Sequence, residues 1–519
     1  MKNSTVAEFH ELYLQLKTKI DEYLSGSITA DQLKPFAAPF GIYEQRNGLF
    51  MVRIRISGGH ITLQNLRDVA GIMEQNKIGS AHLSTRQDIQ LHDVPAANIF
   101  ATMESCDLSG FPFKGGGGNT YRNIIASADS GFGRDSVFDV VPYVDELNSF
   151  LRKYEKAFGL PRKLKAGFFS NQSEILNAAV QDLGFVAKTS GGSRGFKVYG
   201  GGGMGRESSL GVVLFDFLPD SEVLRCAAAM TDLFYDHGDR ANRNQARIRY
   251  ILKRLGVDEF KRLFNEYYAK TPAYASTLTA GADYAHLAEK VKRAAAPSVP
   301  ENGYDSWRKY AVLPTNIELD ISSVRLYVPY GNLTAAQLVK LAGLGEKLNS
   351  GFLRLLPSQD ILIPLAHSSS LAEIHHSLLN DFPEIDLTLK SFKGHIVSCV
   401  GSGVCKIGIL KSPEIADAVG EEMDKMLPVD TLEKVEILRT LTDHVRISGC
   451  PNSCAGHPAA KIGLQGQKKR IGEVTEDVCL FFTGLSTGED ALRLSAPATE
   501  DEFVKVADIP LKIKTLLDT

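Results

Sequence analysis

The chain has 519 residues, of which 44% are hydrophobic and 23% are charged, and its formal net charge is −3. This length is too great for one core and predicts several domains of an ordinary globular protein. The near balance of charges excludes a basic nucleic-acid-binding surface, and no apolar run of the sequence is long enough to span a membrane. We therefore expect neither nucleic acid nor membrane as a partner.

Residues 1–45 are predicted to form a helical extension. Apolar residues recur there at helical spacing, with acidic residues between them: Val6, Phe9, Leu12, Leu16 and Ile20. This pattern favours an amphipathic helix over a signal or transit peptide. A long chain that has seven cysteines and no predicted signal or transit peptide is expected in a reducing compartment, and we take the cytoplasm as its location.

A unit of strand, helix, strand and strand is predicted twice, at residues 46–113 and 306–390. In the first copy, alternating apolar and basic residues predict a strand, and Thr62 is placed to cap the helix. An offset of 272 residues relates identical residues of the two copies, including Gly59 and Gly331, Thr62 and Thr334, and the runs 87–89 and 359–361. A repeat of this length is a domain-scale duplication. We expect two ferredoxin-like half-units, A and A′, related by a pseudo-twofold axis.

Each half-unit is followed by a larger α/β segment, at residues 114–295 and 391–519, which we call segments B and B′. The fold class predicted is therefore α+β (mixed α/β), with the order A, B, A′, B′. Duplicated pairs commonly place a ligand at their interface. The alternative, independent domains that share no site, remains open at this point.

Four cysteines of segment B′ form two closely spaced pairs, Cys399 with Cys405 and Cys450 with Cys454. Thiolates are the usual ligands of iron–sulfur clusters, and four of them complete the outer coordination of a cubane. Small and turn-forming residues flank both pairs, which allows each loop to curl around such a cluster. Four unrelated core cysteines, a structural zinc site and disulfide bonds are the alternatives that remain.

Half-unit A and segment B carry basic residues that stand out from the rest of the sequence. The repeat offset pairs Arg86 with Ser358, so only the first copy is charged there, and Arg122, Lys163 and Lys165 follow in segment B. Arg194 and Arg206 flank the glycine run Gly201, Gly202 and Gly203, Arg243 and Arg247 follow farther along the chain, and Arg53 and Arg55 lie on the predicted first strand. Each is equally compatible with a solvated surface charge, and the glycines with a hinge.

These motifs resemble those of the sirohaem-dependent sulfite and nitrite reductases, over nearly the whole chain after about residue 40. In that family, C-x5-C followed by C-x3-C holds a 4Fe–4S cluster, and the last cysteine also ligates the sirohaem iron. The resemblance implies that Cys399, Cys405, Cys450 and Cys454 are the metal ligands, that Cys454 is shared with the sirohaem, and that Asn452 is a cofactor-binding neighbour.

The resemblance also implies roles for the basic residues. Arg86, Arg122, Lys163 and Lys165 match the catalytic positions that hold an anionic substrate on the distal face of the sirohaem and protonate its departing oxygens. The glycine run with Arg194 and Arg206 matches the sirohaem segment of the family, and segments B and B′ become the sirohaem- and cluster-binding domains. Arg243 and Arg247 match a further segment of the family and are implied for the carboxylates of the macrocycle, and Arg53 and Arg55, on the polar face of the first strand, are additional cofactor-binding candidates.

Lys165 favours sulfite as the substrate. Nitrite reductases of the family usually have Asn at this position, and an additional cation favours a dianion over a monoanion. The resemblance therefore implies the six-electron reduction of sulfite to sulfide, with nitrite reduction to ammonia as the alternative.

The electron donor is expected to be a separate protein, because the sequence has no strand followed by a G-x-G-x-x-G dinucleotide fingerprint. Reduced ferredoxin is the expected donor and a flavoprotein subunit the second choice. We expect a monomer, and a surface position for His457.

Overall fold

The computed structural model describes residues 2–112, 114–278, 281–294, 300–317, 320–388, 391–426, 445–497, 499 and 503–517. The N-terminal extension forms two helices, α1 (Lys2–Leu24) and α2 (Ala30–Ala37). Helix α2 begins at Thr29, whose hydroxyl accepts from the N–H of Gln32 in a capping box. Leu16 and Ile20 of α1 are buried, as the helical spacing predicts.

Half-unit A contains β1 (Ile42–Glu44), β2 (Phe50–Ile54), β3 (His60–Thr62), α3 (Leu63–Gln75), β4 (Ser80–Leu83), β5 (Ile89–Val94) and α4 (Ile99–Leu108). Thr62 caps α3 as predicted, since its hydroxyl accepts from the N–H of Asn65. The apolar stripe of α3, with Leu66, Val69 and Met73, is buried against the sheet.

Segment B contains β6 (Ile125–Ala126), α5 (Val141–Lys153), β7 (Ala166–Phe169), α6 (Ile175–Ala179), β8 (Leu183–Ser190), β9 (Ser193–Gly200), β10 (Val212–Pro219), α7 (Val223–His237), α8 (Ile248–Leu255), α9 (Val257–Lys270) and α10 (Tyr284–Lys290). Its sheet has the order β10-β9-β8-β7-β6. Strands β6, β7 and β8 are parallel, and β9 and β10 follow in antiparallel pairing. Helices α5, α7 and α9 bury their apolar faces in the core of this segment.

Half-unit A′ contains α11 (Tyr304–Ala311), β11 (Val312–Pro314), β12 (Ile321–Leu326), β13 (Asn332–Leu333), α12 (Ala335–Lys347), β14 (Phe352–Leu355), β15 (Ile361–His367) and α13 (Leu371–Asn380). The offset of 272 residues relates both ends of α12 to those of α3, and both ends of β14 to those of β4. Thr334 caps α12 with the same capping box that Thr62 forms.

The two half-units exchange strands. Strand β13 of A′ extends the sheet β1-β2-β5-β4-β13, and β3 of A extends the sheet β11-β12-β15-β14-β3. This reciprocal pairing joins both half-units around one hydrophobic core, which also receives α1 and α2. It confirms the predicted duplicated, pseudo-twofold architecture.

Segment B′ contains β16 (Ile396–Ser398), α14 (Gly401–Val404), α15 (Ser412–Met426), β17 (Val445–Ser448), β18 (Ile462–Ile471), β19 (Val474–Thr483), β20 (Ala496–Pro497), β21 (Phe503–Lys505) and α16 (Ile509–Leu517). Its sheet runs β16-β17-β18-β19-β20, with β21 paired to β19. Two parallel pairings are again followed by two antiparallel ones, so the sheet repeats the topology of segment B. Within the described part of the chain, no helix combines the length and the apolar character that crossing a membrane requires.

Candidate active site

The four cysteines of B′ follow the ends of two adjacent parallel strands. Cys399 comes directly after β16, and Cys450 comes two residues after β17. Because β16 and β17 pair in parallel, with Ser398 opposite Ile447, their carboxyl ends meet at one edge of the sheet. The loop after each strand carries the second cysteine of its pair, so two loops bring four thiols to one place.

The four thiols interact with one another. The Cys454 thiol interacts electrostatically with those of Cys399, Cys405 and Cys450, and burial raises the pKa of Cys450 to about 11. The Cys399 sulfur accepts from the N–H of Gly449 at 3.3 Å. Backbone donors of this kind stabilise thiolate ligands, as the second shell of an iron–sulfur site does.

The donor set therefore fits a 4Fe–4S cluster. Four thiols and backbone N–H groups directed at them are the groups that such a cluster needs. Gly401, after the first cysteine, has φ +61°, and a Cβ there would lie 2.5 Å from the backbone nitrogen of Ser412. Only glycine allows the loop this close approach. Among the described residues, no three His, Cys, Asp or Glu side chains are placed to hold a single metal ion.

Cys454 lies where half-unit A and segments B and B′ meet. Its carbonyl oxygen accepts from the hydroxyl of Thr85 in A at 2.8 Å. The hydroxyl of the preceding Ser453 donates to the carbonyl oxygen of Gly205 in B at 3.0 Å. Cys454 is exposed, whereas Cys450 is buried. The last cysteine of the four is thus the one that reaches the space between the segments.

The predicted catalytic cations share that space with Cys454. Lys163 and Lys165 lie directly before β7, and both are half-buried. Lys163 interacts electrostatically with Arg122 and with the Cys454 thiol, and Lys165 interacts with Lys163 and Arg86. Burial lowers the pKa of both lysines well below its usual value, and the neighbouring cations lower it further.

Arg86 and Arg122 are held in place by backbone carbonyls. Arg86 donates from Nη2 to the carbonyl oxygen of Asn123 at 2.6 Å and from Nη1 to the side chain of Gln181 at 3.0 Å. Arg122 donates from Nη2 to the carbonyl oxygen of Gly118 at 3.0 Å. Burial lowers the pKa of each guanidinium to about 10, so both remain charged near neutrality. The geometry thus gathers Arg86, Arg122, Lys163 and Lys165, which we call the cation group.

Arg247 borders the cation group through a buried ion pair. Its Nη2 lies 2.9 Å and 2.8 Å from the two carboxylate oxygens of Asp182. Asp182 also accepts from the backbone N–H of Lys165 at 2.7 Å. One buried carboxylate therefore positions both Arg247 and the start of β7. Arg247 interacts electrostatically with Lys163 and Lys165 as well.

The glycine run approaches its neighbours too closely for a side chain. A Cβ at Gly202 would lie 2.0 Å from the carbonyl oxygen of Ala179, and Gly201 has φ +83°. Gly203 pairs with Ser209 through two backbone hydrogen bonds of 2.9 Å and 3.0 Å. The run is therefore a fixed, close-fitting segment rather than a hinge.

Arg249 is a candidate residue that the sequence reasoning missed. Its guanidinium lies against the glycine run, at 3.1 Å from a Cβ built on Gly203 and 3.0 Å from one built on Gly205. Nε and Nη1 are buried and have no hydrogen-bond partner among the described residues. Buried guanidinium nitrogens without an acceptor fit a macrocycle that carries carboxylates. Arg249 lies in the first turn of α8, two residues after Arg247, and this spacing is the signal that could have identified it.

Several other predicted residues are bonded to protein atoms or exposed to solvent. Arg55 is buried and donates to the side chains of Tyr121 and Asn148, so its contacts are with protein atoms. Arg194 is exposed and lies 5.3 Å from the Phe138 ring, beside a cavity of about 450 Å³ in segment B. Three more of the predicted cofactor-binding residues are exposed on the surface: Arg206, Arg243 and Asn452. Arg53 donates to the carbonyl oxygen of Gly116 at 2.7 Å.

The expected surface position of His457 is wrong. Its side chain is 1% exposed and its ring packs on Phe482 with centroids 4.6 Å apart. Burial lowers the pKa of His457 to about 3, so the ring is neutral. It packs against β19 inside the segment.

Comparisons with known proteins agree with this geometry. The family model described as "Nitrite and sulphite reductase 4Fe-4S domain" matches residues 117–272, and the "Nitrite/Sulfite reductase ferredoxin-like half domain" matches residues 43–107 and 319–380. Together they cover more than half of the chain. The first match falls on segment B, whose sheet has the same topology as the cysteine-bearing sheet of B′.

Curated relatives extend the match over most of the chain. A protein of Synechococcus elongatus named ferredoxin–nitrite reductase is 27% identical over 86% of this chain and 81% of its own. A protein of Acidithiobacillus ferrooxidans named sulfite reductase (NADPH) hemoprotein beta-component is 24% identical over 89% of this chain and 81% of its own. The NirA protein of Mycobacterium tuberculosis has the same fold, with a TM-score of 0.77 at 21% identity, over 97% of this chain and 91% of that one. The chain therefore belongs to the nitrite and sulfite reductase family of oxidoreductases, which have sirohaem and a 4Fe–4S cluster as cofactors.

Proposed function

We propose that the protein reduces a small oxyanion, with nitrite as its preferred substrate, by six electrons taken from ferredoxin. The observation that carries this proposal is the common space bordered by the Cys454 thiol and the cation group. A sulfur ligand on one side and four basic side chains on the other suit a metal centre that binds an anion between them.

We assign separate residues of the chain to the cluster and to the sirohaem. We assign Cys399, Cys405, Cys450 and Cys454 as cluster ligands and Cys454 as the ligand shared with the sirohaem. Arg247 and Arg249 are proposed to bind macrocycle carboxylates, next to the close-fitting glycine run. A sirohaem held there supplies the iron at which the anion is reduced with electrons that arrive through the cluster.

The cation group binds the anion and supplies protons. Arg86 and Arg122 remain charged and orient the anion through donors that are fixed by their backbone contacts. Lys163 and Lys165 have a lowered pKa, which makes each ammonium a better acid than an exposed lysine. They can therefore give a proton to a departing oxygen.

Nitrite is preferred here because several of the relatives are named ferredoxin–nitrite reductases, from cyanobacterial, plant and archaeal sources. This revises the expectation of sulfite that the resemblance implied. Sulfite remains the second candidate because of one observation: Lys165 stands beside Lys163, and two adjacent cations favour a dianion. The relatives' names also support ferredoxin as the donor. The cytoplasmic location stays a prediction, since plant relatives are named as chloroplastic.

The test compares kcat/KM for nitrite and sulfite in the wild-type enzyme, in Lys165→Asn and in Lys153→Asn, an exposed lysine of the same segment. We expect the wild type to prefer nitrite. Lys165→Asn should lose about tenfold or more on sulfite, and less on nitrite, because a charge-assisted hydrogen bond is worth about 1.5–3 kcal/mol. Lys153→Asn should behave as the wild type. A wild-type preference for sulfite would reverse the assignment.

A further inference from the structure

Asp88 is a buried carboxylate directly behind the cation group. Its side chain is 5% exposed, and its Oδ1 has no hydrogen-bond partner among the described residues. The nearest cation, Nε of Arg53, lies 3.6 Å from Oδ2, which is a loose ion pair. Four guanidiniums interact with it electrostatically: Arg53 of β2, Arg55 just after β2, Arg86 of its own loop, and Arg122 from the segment before β6. Two of the four belong to the cation group.

The duplicated half-unit shows what a fully bonded version of this carboxylate looks like. The offset of 272 residues places Asp360 at the position of Asp88. Asp360 accepts from Nε of Arg325 at 3.0 Å, from the hydroxyl of Ser358 at 2.9 Å and from the backbone N–H of Val328 at 3.0 Å. Both of its oxygens are therefore bonded.

In half-unit A the counterparts of Arg325 and Ser358 make their hydrogen bonds with other groups. Arg53, the counterpart of Arg325, uses Nη1 to bond the carbonyl oxygen of Gly116. Arg86, the counterpart of Ser358, extends into the cation group and bonds Asn123 and Gln181. Asp88 is thus left with one free oxygen inside a group of positive charges. A buried acceptor without a partner is costly, and its persistence calls for an explanation.

We propose that anion binding to the cation group is coupled to the uptake of one proton by Asp88, which makes Asp88 a positioning residue that adjusts the charge of the pocket. The proton comes from solvent and converts the carboxylate to a carboxylic acid, so no electron moves in this step. The free Oδ1 is the atom that accepts it. This inference rests on the proposed function, because it requires an anion in the pocket.

The electrostatics give the direction of the coupling. Burial raises the pKa of Asp88, whereas the four arginines oppose that rise. An anion that binds Arg86 and Arg122 cancels part of the opposing field, so the pKa of Asp88 rises further and the carboxylate takes up a proton. By reciprocity, protonated Asp88 leaves the arginines their full charge, and the anion binds more tightly.

The test uses the intact holoenzyme without electron donor. Nitrite and sulfite are titrated between about pH 6 and about pH 9 by their effect on the visible spectrum, and calorimetry in buffers of different ionisation enthalpy counts the protons taken up. Because Lys163 and Lys165 also titrate, the decisive quantity is the difference between the wild type and Asp88→Asn. The matched control is Asp360→Asn, which removes the bonded counterpart in A′.

We expect the wild-type Kd to weaken by up to about tenfold per pH unit at alkaline pH and proton uptake to fall by one in Asp88→Asn. In Asp360→Asn, the change of Kd with pH and the number of protons taken up on anion binding should equal those of the wild type. An Asp88→Asn enzyme with the wild-type proton count, or a wild type that takes up no proton, would overturn the inference while leaving the proposed function intact. If neither anion binds at all, the proposed function fails as well. Should Asp88→Asn not retain its cofactors, Asp88→Ser, which also lacks a carboxyl group, replaces it, and a wild-type proton count in that variant likewise overturns the inference.

Discussion

Replacing Asp182 by Asn should destabilise segment B strongly. The carboxylate and Arg247 are 0% and 6% exposed at their side chains, and they are joined by a bidentate ion pair. The substitution leaves the Arg247 charge buried without its counter-ion, and removal of one partner of such a pair costs about 3–5 kcal/mol. It also removes the negative charge that raises the pKa of Lys165, so that lysine is less protonated at neutral pH.

Chemical denaturation followed through the unfolding of segment B measures the loss. The matched control is Asp216→Asn, because Asp216 forms an ion pair of 3.7 Å with Lys197 while its side chain is 85% exposed, and such pairs contribute about 0–1 kcal/mol. The double variant with Arg247→Gln should regain part of the lost stability, since no unpaired charge remains. If Asp182→Asn unfolds at the same denaturant concentration as the control, the reasoning about this ion pair is refuted.

Three further results are expected. His82 and His92 are buried, and burial lowers their pKa to about 4 and about 3. Between about pH 6.5 and about pH 4 these two histidines are protonated in the unfolded chain but not in the folded protein. The free energy of unfolding should therefore be highest above about pH 6.5 and fall by about 1.4 kcal/mol per pH unit for each histidine down to about pH 4. Equal free energies of unfolding at pH 7 and pH 5 would contradict this. Gly202→Ala should lower sirohaem content because its Cβ meets a backbone carbonyl oxygen at 2.0 Å, whereas Gly343→Ala, with open space around it, should not. Arg46→Gln should speed cluster loss to a chelator, because Arg46 bonds three carbonyl oxygens of the loop after the second cysteine; an unchanged rate would argue against that role.

Features encoded locally could be predicted from the sequence. The repeat offset located both half-units, and the two capping threonines, Thr62 and Thr334, fixed the starts of α3 and α12. The cysteine spacing identified the two loops at the sheet edge of B′. These features can be predicted because capping, amphipathic spacing and loop composition depend on residues that are close together in the sequence.

Features that depend on distant contacts could not be predicted. The exchange of β3 and β13 between half-units is invisible in the sequence because both strands are short and their partners lie in the other copy. Arg55, Arg194 and Arg247 are all predicted to bind the cofactor, yet the side chains of Arg55 and Arg194 contact protein atoms or solvent. Asp88 gave no signal either, since its counterpart in A′ is the same residue and only the surrounding contacts differ.

The most direct experiment records the visible and electron paramagnetic resonance spectra of the purified protein, with iron and sulfide contents, for the wild type, Cys454→Ser and Cys106→Ser. Cys106 is buried in the core far from the four thiols in sequence and serves as the control. We predict tetrapyrrole bands and a 4Fe–4S signal in the wild type and in Cys106→Ser, and loss of both cofactors or of their coupling in Cys454→Ser. A wild type without tetrapyrrole bands, or a Cys454→Ser protein that keeps both cofactors and full turnover, would contradict the assignment of Cys454 as the ligand that joins them.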